Sequence, residues 1–250
     1  MIERILLSRR AMGRVVAGFA AMTCRLTPVR ATTPDGAGAV PDMIEALQSA
    51  DALSFTADAV FGASATNTDF RNLGTRVHVV FQRPGTLFAV FGEGGGPDLQ
   101  MLISGGEVTL LRLSLASKTV LKLVPGNGAA FAVPGLFLPF MGLLSENVEV
   151  DFFGGIQSVT PIAQGAPDQP EETMLNAVMG HRFTGEVWTD KGSGRPARVI
   201  GTWFGGDGGK VAASAAVNFT GWSSEAPVAS AFTPQGLDAA KMVDFSQLGL

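Results

Sequence analysis

Polar and apolar positions alternate most plainly between residues 181 and 204, HRFTGEVWTDKGSGRPARVIGTWF. His181, Phe183, Gly185 and Val187 fall on one side; Arg182, Thr184, Glu186 and Trp188 fall on the other. Lys191-Gly192-Ser193-Gly194 interrupts the run, and a second alternation follows, Ala197, Val199, Gly201 and Trp203 against Arg198, Ile200, Thr202 and Phe204. Two period-two arms joined by a Gly-rich connector predict a β-hairpin. Bulky groups stand on both of its faces, so the pattern separates the faces without saying which one meets the core.

The same period recurs along much of the chain. Pro41-Asp42 starts a helix expected to run to about Leu53, with Met43, Leu47, Ala50 and Leu53 or Ile44 on its apolar stripe. Phe55 is expected to open a first strand, and residues 69–82 to hold a second. Arg83-Pro84-Gly85 makes a turn into a strand beginning at Leu87. Residues 99–104, 107–113 and 118–124 read as three more strands, with turns at Gly105-Gly106 and Ala116-Ser117. Short strands with local turns predict an antiparallel meander. Residues 146–156 are expected as a strand, 157–172 as a polar loop, 174–179 as a brief strand and 210–220 as a longer one. Phe232 to Asp238 is expected as a last strand end and turn.

Residues 126–145, GNGAAFAVPGLFLPFMGLLS, break the alternation. They are apolar throughout and contain Pro134 and Pro139, which suits short helices laid over a sheet better than a membrane span. The segment reads either as a plug completing a core or as a lid over an apolar cavity.

Composition supports a folded β protein. Apolar residues make up 46% of the chain and charged ones 16%, which excludes a disordered chain. The 32 glycines and 14 prolines suit many turns. There are 17 phenylalanines and no tyrosine, so most aromatic surface lacks a polar handle. Such residues build cores or line pockets for apolar ligands.

Residues 1–31 read as an export signal. Arg4, Arg9, Arg10 and Arg14 precede a short apolar run from Val15 to Cys24, and Val29-Arg30-Ala31 is an acceptable cleavage site. Ser8-Arg9-Arg10 resembles a twin-arginine signal, and ordinary secretion is the other route. Residues 32–40 read as a linker, and 41–250 as one domain. The only cysteine, Cys24, lacks the preceding residues of a lipidation site and lies inside the signal. The signal carries six of 18 basic and one of 22 acidic residues, leaving 12 against 21, a formal charge of −9. That argues against nucleic acid and anionic membrane surfaces as partners.

Catalytic chemistry finds no set of residues to support it. His78 and His181 each lie in an expected strand without acids or a second histidine at ligand spacing. No Gly-x-Ser-x-Gly elbow occurs, and Ser193 is a turn residue. Residues 205–210 lack the first glycine and the hydroxyl of a phosphate loop. Glu171-Glu172 and Glu146/Glu149 form no paired-carboxylate site. The expectation is a non-enzyme without metal or cofactor.

Several short motifs resemble the LolA-like superfamily, which includes periplasmic lipoprotein carriers and related lipid-binding proteins. Phe81-Gln82-Arg83-Pro84-Gly85-Thr86-Leu87-Phe88 resembles its "RP-x-x-[FL]-x" strand turn. Ile103 to Leu110 is similar to its "DGK-x-L" hairpin, with Ser104 or Gly105 at the acid and Glu107 at the lysine. Ala231 to Leu237 is similar to its closing "F-x-P-P-x-G" segment. His181-Arg182-Phe183, Val187-Trp188-Thr189 and Arg195 to Ile200 resemble an uncharacterised family of predicted periplasmic proteins within that superfamily. The resemblance implies a mainly β (α+β) fold, a strongly curved antiparallel sheet forming an incomplete barrel with helices across its concave face.

It also implies a periplasmic binding or carrier protein for a lipid, a lipoprotein acyl chain or another amphiphile. Arg83 matches the arginine that latches sheet to lid in the carriers. Alternation then offers Phe81, Phe88, Leu111, Phe137, Phe140, Met141, Trp188 and Trp203 as cavity wall, with a one-residue register error reversing faces. The alternative is an envelope stress-sensor domain that contacts a membrane-anchored protein and carries no ligand.

Overall fold

Short β segments separated by Gly and Pro turns satisfy their backbone groups most directly by pairing with chain neighbours, and the strands here do so almost throughout. A computed structural model describes residues 38–61, 76–92, 98–122, 139–163, 170–205 and 210–248. Five strands follow β1 (Ala52–Phe61) as a meander: β2 (Arg76–Gln82), β3 (Thr86–Phe91), β4 (Leu99–Ser104), β5 (Glu107–Arg112) and β6 (Ser117–Lys122). A second meander holds β7 (Ile156–Ile162), β8 (Thr173–Gly180), β9 (Phe183–Asp190), β10 (Pro196–Gly205) and β11 (Lys210–Ser223). β1 pairs antiparallel with β11 and joins the two. A two-residue strand β12 (Lys241–Met242) lies parallel to β6.

The spatial order is β12-β6-β5-β4-β3-β2-β1-β11-β10-β9-β8-β7. The two end strands do not meet, so the sheet is open. The fold is mainly β: a curved, unclosed antiparallel sheet forming an incomplete barrel, with short helices on its concave side. Helix α1 spans Ala39–Gln48 and α2 spans Val148–Phe153.

The predicted hairpin is present as β9 and β10, in the register Val187↔Val199, Gly185↔Gly201, Phe183↔Trp203. Helix α1 ends at Gln48, earlier than its apolar stripe suggested, and Leu53 belongs to β1. Residues 146–156 form a helix turn and not the expected strand. Asn147 Oδ1 accepts the Val150 N–H at 3.4 Å, and Gly154 closes the helix at φ 73°. Those two residues are an N-cap and a left-handed C-cap, and they bracket a helix whose buried face is Val148, Phe152 and Phe153. The strand comes next, as β7, in a stretch expected to be loop.

The segment after β11 is no simple strand end. Residues 229–237 cross the sheet face that carries Gln100 and Lys118. Gln100 Oε1 accepts the Gln235 N–H at 2.8 Å, and Lys118 Nζ donates to the Leu237 carbonyl at 2.8 Å. After β12 the chain reaches the opposite face, where Thr119 Oγ1 donates to the Val243 carbonyl at 2.7 Å. Lys118 and Thr119 are sequence neighbours and so point to opposite faces. The chain therefore hooks around the β6 edge and buries Leu248 in the core.

Candidate functional site

The concave face is a set of cross-strand apolar rows. One row runs Leu53, Phe81, Leu87, Ile103, Val108 across β1 to β5. The next runs Phe55, Val79, Ala89, Met101, Leu110. None of these ten side chains is more than 1% exposed. Each large one contributes roughly 1.5–3 kcal/mol by burial. The face continues on the other side of β1, where Ala59, Val217, Val199 and Val187 align across β1, β11, β10 and β9. The next position in that row, on β8, is Asn176.

A thin cover lies over this face. Helix α1 buries Ala39, Val40, Met43 and Leu47 and packs against β8 and β9. The 3-10 helix Pro139–Leu144 adds Met141, Leu143 and Leu144. It meets α2 backbone to backbone at Gly142, where an added Cβ would lie 2.9 Å from the Asp151 carbonyl oxygen. Helix α2 is held by rings. Phe153 stands 5.3 Å from Phe183, Phe152 5.6 Å from Trp203, and Phe183 5.0 Å from Trp203.

At the other end the cover is held by polar groups. Arg83, in the turn between β2 and β3, donates from Nε to the Ala50 carbonyl at 2.9 Å and from Nη2 to the Leu47 carbonyl at 3.1 Å. Those carbonyls belong to the last turn of α1 and the residues after it, where helices leave acceptors unpaired. The guanidinium also sits 5.4 Å over the Phe81 ring. Gln48 Nε2 donates to the Glu146 carbonyl at 2.8 Å and ties α1 to the segment before α2.

The eight proposed wall residues do not share one face. Phe81 and Trp203 are concave and buried, and Met141 is buried in the cover. Phe88 pairs with Val80 and Leu102, on the convex face, because its neighbour Leu87 takes the inward position. Leu111 is also convex, opposite Gln100 and Lys118 on the face crossed by residues 229–237. Trp188 pairs with Arg198 and Leu175 on the convex face, with the Arg198 guanidinium 5.3 Å over its ring. Phe140 belongs to the 3-10 helix of the cover, and Phe137 lies outside the described residues.

Glu186 and Arg198 stand on the convex face. Burial pushes the Glu186 carboxyl above the usual carboxylate range, with Arg198 opposing. Burial acts the same way on Asp98, but hydrogen bonds from Ser114 and Arg112 outweigh it and hold that carboxyl low. Arg112 Nε donates to Asp98 Oδ2 at 2.8 Å and Nη1 to the Leu248 carbonyl at 3.1 Å. His78 Nδ1 lies 3.3 Å from Thr56 Oγ1, and His181 Nδ1 lies 3.0 Å from Gln157 Nε2, both at exposed positions. Among the described residues no three His, Cys, Asp or Glu side chains gather as a metal site.

The sequence reading missed Asn176. It is fully buried, and among the described residues neither its Oδ1 nor its Nδ2 has a hydrogen-bond partner. Among the described residues the indole N–H of Trp203, on the same face, also has no partner. A lone amide in the apolar run Met174-Leu175-Asn176-Ala177-Val178 was the available signal.

An open half-barrel with a helical cover is the class this geometry defines. No protein-family profile and no curated protein matches the chain. Solved structures do. Lipoprotein LppX of Mycobacterium tuberculosis is 11% identical over 79% of this chain and 100% of that one, with a TM-score of 0.44. A LolA superfamily protein of Nitrosomonas europaea is 10% identical over 80% and 97%, at 0.35. MucB in the MucA/MucB complex of Pseudomonas aeruginosa is 11% identical over 84% and 63%, at 0.40. Each is a solved structure that this chain is similar to at 10–11% sequence identity.

Proposed function

We propose that the protein is a periplasmic binding or carrier protein for a lipid, a lipoprotein acyl chain or another amphiphile, received between the concave face and its cover. The observation that supports it most is the pair of uninterrupted apolar rows across β1 to β5, buried in one core with Val40, Met43 and Leu47 of α1, whose end is tied to the β2–β3 turn by Arg83. A hydrocarbon chain offers such a wall the same contact as the cover does, so the two can exchange without exposing the rows to water. Arg83 acts as the latch, Phe81, Met141 and Trp203 as contacts, and residues 1–31 as the export signal. The reading involves no catalytic step, cofactor or nucleic acid. Native mass spectrometry and lipid extraction of the purified protein test it, with a co-purified amphiphile expected at one per chain. Recovery of none, together with no binding of a neutral fluorescent probe, sinks the proposal.

The second reading, an envelope interaction domain with no transported ligand, draws on a different fact. Met43, Leu47, Leu143, Leu144 and Phe153 already bury completely in the closed form. A single stoichiometric membrane-anchored partner in an envelope pull-down, with no lipid bound, favours it over the first.

A further inference from the structure

We propose that Asn176 recognises a neutral hydrogen-bonding group of the bound amphiphile, an ester or amide with a neighbouring hydroxyl, and selects against a free carboxylate. The inference rests on the carrier reading above and specifies its ligand.

Asn176 occupies the fifth place in the row Ala59, Val217, Val199, Val187, Asn176, Pro161. An aliphatic side chain would continue that row. The amide instead brings two donors and an acceptor oxygen into a place with no exposure and, among the described residues, no partner for either atom. Buried polar groups are nearly always paired, and leaving them unpaired is unfavourable. A ligand carbonyl accepting from Nδ2 and a ligand O–H or N–H donating to Oδ1 would satisfy both.

The surroundings set the charge. Met174 and Val178 flank Asn176 along β8 on the same face, and Val187 and Pro161 lie across from it. Thr189, diagonal to it, is fully buried, and its hydroxyl donates to the Met174 carbonyl at 3.4 Å. The buried stripe of α1, which packs on β8 and β9, is apolar. Glu186 and Arg198 point to the opposite face. Among the described residues, the side chains that flank Asn176 on β8 and lie across from it on β7 and β9, and the buried stripe of α1, include no cation to pair a carboxylate, and an unpaired buried charge is far more costly than a neutral group.

The test measures displacement of N-phenyl-1-naphthylamine by 1-palmitoylglycerol, methyl palmitate and palmitate, with wild type and Asn176→Leu. Wild type should prefer 1-palmitoylglycerol over palmitate by about tenfold or more, the scale of one buried hydrogen-bonding group. Asn176→Leu should lose that preference while its ligand-free form melts no lower than wild type. A lower melting temperature with the preference intact marks a structural amide, paired by buried water, and overturns the inference. Asn176→Val serves the same comparison if the leucine variant does not fold, and failure of both to fold also overturns it. Absence of binding by every protein and probe is a different result, which removes the carrier reading itself.

Discussion

Phe183 decides what two neighbouring positions can be. Its ring lies over Gly185 and Gly201, which face each other across β9 and β10. A Cβ on Gly201 would come within 2.2 Å of Phe183 Cε2, and its three nearest atoms all belong to that one ring. A Cβ on Gly185 would come within 2.2 Å of the Ile200 carbonyl oxygen, which is backbone. Gly201→Ala should therefore destabilise by about 3 kcal/mol, at the upper end of overpacking costs, and Phe183→Leu should recover part of the loss in a double mutant. Gly185→Ala should destabilise similarly with no recovery, which denaturant melts would show. The alternation of this hairpin was legible in the sequence from Phe183 to Trp188 and from Arg198 to Trp203, but the register shift between Pro196 and Arg198 was not. Its inward side was not, because Trp188 on the outer side is as large as Trp203 on the inner. Phe88 and Leu111 mislead in the same way. Leu111 is apolar because residues 229–237, more than a hundred positions later, cross its face.

Arg83 carries a second consequence at this scale. Its two bonds to carbonyls at the end of α1 are charge-assisted, and Arg83→Ala should cost about 2 kcal/mol. Amide exchange should speed in α1 and stay unchanged in β9 and β10. Equal acceleration everywhere would mean that the arginine supports the whole fold and not the cover in particular.

Among the elements, α2 and the segment after β11 were the least legible. α2 has only six residues, shorter than two turns, so its periodicity is hidden and only Asn147 and Gly154 mark its limits. The hook around β6 has Arg112 as one of its anchors, joining Asp98 on one loop to the Leu248 carbonyl. Asp98 is ionised to a lower pH in the folded chain than in the unfolded one. Its contribution is fully present above the ordinary carboxylate range and is lost as pH falls through the lowered folded value. Asp98→Asn should lower the melting temperature near neutrality and flatten its decline in acid. A variant with an unchanged acid limb would show that the pair does not hold the hook.

For the molecule as a whole, the meanders were legible and the order of the sheet was not. Hairpins announce themselves through local turns, whereas the β1–β11 pairing joins residues about as far apart as Ala57 and Phe219. That ladder lies in the middle of the sheet, with six strands on the β1 side beyond it and four on the β11 side. The curved face forms as one surface only when it closes.

This placement fixes an order of events. Each meander can zip from local contacts as soon as it exists, but the central seam waits for β11, and the hook waits for Leu248. Closing so long a loop is slow compared with hairpin formation. A nascent chain would thus hold two half-sheets, each showing an apolar side to its surroundings, until β11 had been made. During that interval those two sides are exposed apolar surface, the kind that sticks to other chains.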